Sequence, residues 1–183
     1  MSRNYKFRNP EGAYFISFAV VEWVDVFAYD PYKDIVVDSL RYCQKVKGLE
    51  IFAWCIMSNH VHLMIRAGGK STLSDILRDF KAFTARQLLK VISEKPNEIN
   101  SQRMLDTFAK AGAKSSNVKN YQLWQHDNQP IEVYSNHVIQ QKLNYIHQNP
   151  VKAGFVRNPW DYKYSSAKNY AGEKGELEII LVG

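Results

Sequence analysis

The stretch 49-LEIFAWCIMSNHVHLMIRA-67 decides the fold. Its first half, LEIFAWCIM, is apolar at nearly every position, the mark of a central strand. Ser58-Asn59 makes a tight turn. HVHLMIRA then alternates: Val61, Leu63 and Ile65 share one face, and His60, His62, Met64 and Arg66 share the other. The two halves form a hairpin. Its apolar face packs on core helices, so the two imidazoles stand together on the opposite face, about 6.5 Å apart along the strand. At that spacing they could lean onto one metal ion, or hold a phosphate. A His-x-His pair also occurs by chance. Two polar rings on a central strand nevertheless cost burial, and binding can offset that cost. A catalytic metal needs a third ligand and open positions. His126, His137 and His147 have no local partner at metal-binding spacing, so the third ligand must come from a distant segment.

Outward from the hairpin, residues 13–24 are rich in Phe, Ile, Val, Tyr and Trp and predict a first strand. A helix follows from Asp30-Pro31 to Gly48, with Ile35, Val36, Leu40 and Cys43 at helical spacing. A long helix opens at Ser71 and carries Leu73, Ile76, Leu77, Phe80, Phe83 and Leu88 along one side. Residues 93–120 form a polar excursion with one short helix near 101–111. NYQLWQHD, 120–127, predicts a fourth strand. SNHVIQQKLNYIHQNP predicts a last helix ending near Pro150, and the tail after about 171 is expected to be loose. The order strand-helix-strand-strand-helix-strand is the ferredoxin-like βαββαβ pattern, an α+β sandwich with an antiparallel sheet and a further C-terminal helix. The expectation is one domain over 1–183 with its core at about 13–170. Fold alone does not give function, since many nucleic-acid-binding modules share this pattern.

The 183 residues are 45% hydrophobic and 23% charged, as in an ordinary soluble protein, with 11 Tyr, 9 Phe and 4 Trp. The formal net charge of +6 suggests an acidic partner, of which nucleic acid is the usual one. Cys43 and Cys55 make no disulfide framework, and a reducing cytoplasm is the expected compartment. The N-terminus lacks the apolar core of a signal peptide. Glu22 and Asp25 interrupt the one long apolar run, so no membrane span is expected.

The last helix carries Tyr145 and Asn149 at i and i+4, on one face. A tyrosine and an amide oxygen there could be a nucleophile and a metal ligand, or a packed ring and a helix end before Pro150. Spacing alone favours the second reading. The ordered set MSNHVHLMI, LWQ, YIHQNPVKAGFV and WDYKYSSA resembles the HUH single-tyrosine transposases, and most of all the REP-associated tyrosine transposases, from residue 14 to about 170. The resemblance implies a ferredoxin-like core that cuts single-stranded DNA. It implies that His60 and His62 bind a divalent metal, Mg²⁺ or Mn²⁺, and that Tyr145 is the nucleophile. Asn149 is then the third metal ligand, where the insertion-sequence relatives place a glutamine. The shorter side chain keeps the amide oxygen.

The chemistry this implies is coherent. A phosphodiester repels nucleophiles, and a metal on the scissile phosphate lowers that barrier. Tyrosine, with an ordinary pKa of about 10, needs positioning and help before it attacks. Attack gives a 5′-phosphotyrosine link and a free 3′-hydroxyl that can later rejoin strands. Mg²⁺ prefers oxygen ligands and Mn²⁺ accepts imidazole better. The expected substrate is single-stranded DNA containing a hairpin, bound by a cationic track and stacking rings. Arg78, Lys81 and Arg86 on the long helix, Lys142, Lys152 and Arg157 around the tyrosine, and Trp124 are candidate DNA contacts, with Trp160, Tyr162 and Tyr164 as further stackers. Monomer and homodimer are both compatible with the resemblance. The rival readings are a non-catalytic or domesticated single-stranded nucleic-acid-binding protein on the same fold, an inactive relic, and a metal phosphoesterase in which Tyr145 is dispensable.

Overall fold

A computed structural model describes residues 7–95, 99–115, 120–126 and 129–182. The polar start at 1–6, parts of the excursion at 96–98 and 116–119, and Asp127 lie outside the described residues. The elements run β1 (Tyr14–Ala19), α1 (Asp30–Lys47), β2 (Leu49–Ile56), β3 (His60–Ala67), α2 (Leu73–Ser93), α3 (Ile99–Ala113), β4 (Ile131–Glu132), α4 (Asn136–Lys152) and α5 (Ala167–Tyr170). The four strands form one antiparallel sheet in the order β2-β3-β1-β4, which is the expected βαββαβ topology.

The register sorts the side chains into two faces. Phe15 pairs with Met64, Ser17 with His62 and Ala19 with His60, so these six share one face. Ile16 with Leu63 and Phe18 with Val61 form the other. The Phe18 ring meets Phe80 of α2 at 5.8 Å, which puts α2 on the second face. α1 lies beside α2 and is tied to it by the Lys47–Asp79 ion pair. α4 crosses the first face: Ile146 is fully buried, and the edge of Tyr145 meets Phe15 at 5.8 Å. The sheet thus separates the structural helices from the histidine face.

Local chemistry sets the ends of these elements. α1 carries Pro31 in its first turn, where the missing N–H costs nothing. It stops at Gly48, whose φ of 71° an L side chain resists. A Cβ on Gly48 would also come within 2.7 Å of the Gly69 Cα, so the turns before β2 and after β3 can touch only through glycine. α2 is capped by Thr72, whose hydroxyl accepts from the Asp75 N–H, one residue after the expected Ser71 opening.

Four expectations are corrected. The first strand ends at Ala19 and not at residue 24, because Glu22 and Trp23 take left-handed φ values of 52° and 53° that no strand accommodates. The fourth strand is Ile131–Glu132 and not 120–127. Of that stretch Trp124 contributes a single bridge to Val20. Pro150 does not end the last helix. It sits inside the final turn, where only one backbone bond is forfeited, and the chain breaks after Ala153 at Gly154, φ 76°. The tail is not loose. Leu177 is buried, Ile180 N–H donates to Ile51 O, and the Tyr170 hydroxyl accepts from Val182 N–H. Together with Ile56 N–H to Tyr164 O and Ser166 N–H to Trp54 O, the tail covers the outer edge of β2, which would otherwise present unpaired backbone.

Candidate active site

The site is built from the first face of β3 and the exposed side of α4. His60 and His62 do share a face, with ring centroids 4.6 Å apart. The Tyr145 ring lies edge-on to His62 at 5.2 Å, and Phe15 stacks on His62 at 5.8 Å. The Trp23 ring lies edge-on to His60 at 5.9 Å. The rings form a file in which Trp23 touches the His60 end and Tyr145 the His62 end. Tyr145 is 44% exposed while its neighbours Ile146 and His147 are buried.

The two histidines are held differently. His62 is 2% exposed, and neither ring nitrogen makes a well-formed hydrogen bond, although the Asn149 amide is close enough to act on the ring as a partner. Burial pushes its pKa down to about 3, the neighbouring His60 pushes the same way, and the Asn149 amide nearby opposes both. Burial also lowers His60. Both rings are therefore neutral near pH 7, and a neutral imidazole has a lone pair to give. At His60 the tautomer follows from its neighbour. The Asn59 Nδ2 donates to Trp23 O at 3.2 Å and Asp25 Oδ1 at 2.9 Å, so the Asn59 Oδ1, 2.7 Å from His60 Nδ1, must accept. The proton is fixed on Nδ1 and the Nε2 lone pair is bare, as in a histidine oriented for a metal.

Asn149 obeys the same logic. Its Nδ2 donates to the Tyr145 backbone carbonyl at 2.7 Å, which leaves Oδ1 as the open acceptor beside His62. Among the described residues no three His, Cys, Asp or Glu side chains gather as a metal site. The Asn149 amide oxygen is a further donor atom beside His62. Two neutral imidazoles and an amide oxygen beside them fit a divalent metal by the chemistry of their donor atoms.

The cationic residues separate. Lys142 lies one turn before Tyr145, with its ammonium 4.9 Å from the Phe15 ring and 6.0 Å from the Tyr145 ring. Lys152 and Arg157 are exposed at the C-terminal end of α4 and beyond it. The α2 residues lie across the sheet from the histidines. Arg78 is engaged by Asp75 and Asp79. Arg86 borders a cavity of about 750 Å³ between α1 and α2. Lys81 donates its ammonium to Gln125 O under the Phe18 ring, and burial lowers its pKa to about 8. Trp124, expected among the DNA contacts, is placed in the core: its indole N–H donates to Thr84 and its ring packs on Phe18 and Phe27. Tyr162 and Tyr164 are likewise buried, whereas Trp160 is half exposed. Sequence reasoning missed Asn59, read only as a turn residue, and Trp23, read as strand. The asparagine directly before the histidine pair was the one available signal.

The fold and the site define a ferredoxin-like sheet bearing paired histidines beneath a helix that carries a tyrosine, and comparison with known proteins gives its family. Residues 18–149 match the family model described as Transposase IS200 like, so the chain belongs to the IS200-like transposase family of DNA nicking and rejoining enzymes. A REP-associated tyrosine transposase, solved bound to a REP hairpin, shares the fold with a TM-score of 0.67 and 17% identity, covering 100% of this chain and 92% of that one. A crystal structure of a candidate transposase from Deinococcus radiodurans R1 aligns with a TM-score of 0.46 and 21% identity over 80% of this chain and 94% of that one. No curated protein sequence matches. No helix among the described residues is long and apolar enough to cross a membrane.

Proposed function

We propose that this transposase cuts and rejoins single-stranded DNA beside a hairpin through a covalent link to Tyr145, with His60, His62 and Asn149 holding a divalent metal, Mg²⁺ or Mn²⁺. The observation that supports this reading most is the meeting of Tyr145 and His62, 5.2 Å apart between ring centroids, with neither nitrogen of His62 in a well-formed hydrogen bond. A metal bound there supplies Lewis-acid polarisation of the scissile phosphate. The protein's own part is placement. Neutral ligands leave the phosphate as the main anion in the site. The Tyr145 phenol gives up its proton to solvent as its oxygen forms a bond to phosphorus, the bond to the 3′ oxygen breaks, and that oxygen takes up a proton from solvent and leaves as a hydroxyl. Reversal by that hydroxyl reseals the strand. Because Tyr145 contacts His62 of its own chain, attack in cis is the simpler geometry. Lys142, Lys152 and Arg157 flank Tyr145 and suit the substrate's phosphates.

The test incubates purified protein with labelled hairpin oligonucleotides carrying single-stranded extensions, with Mn²⁺ or EDTA, and maps any adduct by mass spectrometry. An adduct on Tyr145 that disappears in Tyr145→Phe and in EDTA is expected. An adduct on Tyr134 or Tyr121, or full nicking by Tyr145→Phe, overturns the assignment.

A further inference from the structure

Beside His60 the chain does something costly. Glu22 and Trp23 hold consecutive left-handed φ values of 52° and 53° without glycine. The turn is held by the Asn59 amide, which donates to Trp23 O and Asp25, and by α3 packed against it. The result is an indole that is 58% exposed although it belongs to the segment directly following a core strand. Between this turn and α3 lies an open cleft of about 470 Å³, lined by Trp23, Tyr29, Asn100 and Arg103, with Glu22 and Asp25 at the turn. Arg103 forms no ion pair among the described residues.

We propose that this cleft receives an unpaired base of the DNA strand next to the scissile phosphate, with Trp23 as its stacking platform. The inference rests on the nucleic-acid reading above and adds a substrate subsite to it. Three features select this occupant. The file of rings runs Trp23, His60, His62, Tyr145, so a phosphate at the histidines places its neighbouring nucleotide at Trp23. An exposed indole and a second ring, Tyr29, 41% exposed, offer π faces of the kind on which bases stack. The two carboxylates of the turn disfavour a phosphate inside the cleft but accept hydrogen bonds from base amino groups, while Arg103 and Asn100 on α3 can take the backbone and a base edge. The cleft would thus fix which nucleotide lies at the cut, a task the metal and Tyr145 do not perform.

The experiment uses the full chain and DNA hairpins whose single-stranded extension carries 2-aminopurine at one position at a time. Wild type should quench the probe at a position adjoining the nick, and Trp23→Ala should abolish that quenching and weaken binding about ten-fold, as loss of one stacked base does. Trp23→Tyr should restore both, and Tyr42→Ala, an exposed ring on α1, should change neither. Trp23 is largely solvent-exposed and its carbonyl survives substitution, so the variants retain the turn's hydrogen bond. Trp23→Ala binding as tightly as wild type with the same quenching pattern overturns the subsite alone. Wild type that shows the quenching yet forms no Tyr145 adduct overturns the nicking assignment and leaves the subsite standing. Wild type that binds no single strand overturns both.

Discussion

At the scale of single residues, His62 bears a cost that a ligand would recover. It is a buried ring whose nitrogens make no well-formed hydrogen bond, and an unmade buried hydrogen bond costs about 1–3 kcal/mol. Replacing it with Leu should raise metal-free stability by about 1–2 kcal/mol in urea unfolding while abolishing metal binding in a calorimetric titration. A loss of stability would mean that the Asn149 amide already satisfies the ring. Lys81 makes a second residue-scale case, with the opposite kind of readout. Folded, it releases its proton near pH 8; unfolded, it keeps it to 10.5. Below pH 8 the folded protein carries the full penalty of the buried ammonium, and between pH 8 and 10.5 that penalty is relieved, so this residue's contribution to stability rises with pH. Lys81→Met should remove the rise and gain on the order of 1–3 kcal/mol at pH 7, read as the difference between the two unfolding curves across that pH window. The histidine pair was legible in the sequence because strand alternation fixes which side chains share a face. The burial of Lys81 and Trp124 was not, since residue type says nothing about which side of a sheet a helix or a bridge will occupy.

At the scale of elements, legibility followed length. The hairpin at 49–67 and helices α1, α2 and α4 have enough turns or alternations for a period to show, and their boundaries fell within a few residues of expectation. β4 has two residues and no period at all, so the apolar pair Leu123–Trp124 drew the strand assignment to itself. The pair is apolar because it plugs the core beside β1. The C-terminal cover of β2 was hidden for a similar reason: Leu177 alone is deeply buried, amid glycines and glutamates. That single anchor makes the cover testable. Leu177→Ala should cost about 2–4 kcal/mol in denaturant unfolding. Because it loosens the strip protecting the β2 edge, it should also promote concentration-dependent association, measurable by light scattering.

At the scale of the whole molecule, the net charge of +6 overstates what DNA can use. Arg78 is held by two carboxylates and Lys81 by a carbonyl, and both sit across the sheet from the histidines. Lys142, Lys152 and Arg157 form no ion pair among the described residues. Each of these three changed to Ala should lower the slope of log affinity against log salt by about 0.7 for single strands, whereas Arg78→Ala should leave the slope alone. An equal effect from Arg78 would move the binding track to the other face. The amides of the site have a further consequence, which concerns how the protein ages. Asparagine deamidates when the next residue's backbone nitrogen attacks the side-chain carbonyl, a route open where that nitrogen carries a hydrogen. Asn149 is followed by Pro150, which has none. Asn59 is followed by His60 and has no such shield. An aged sample should therefore lose the amide that sets the His60 tautomer while keeping the one beside Tyr145, so that old protein fails at His60 first.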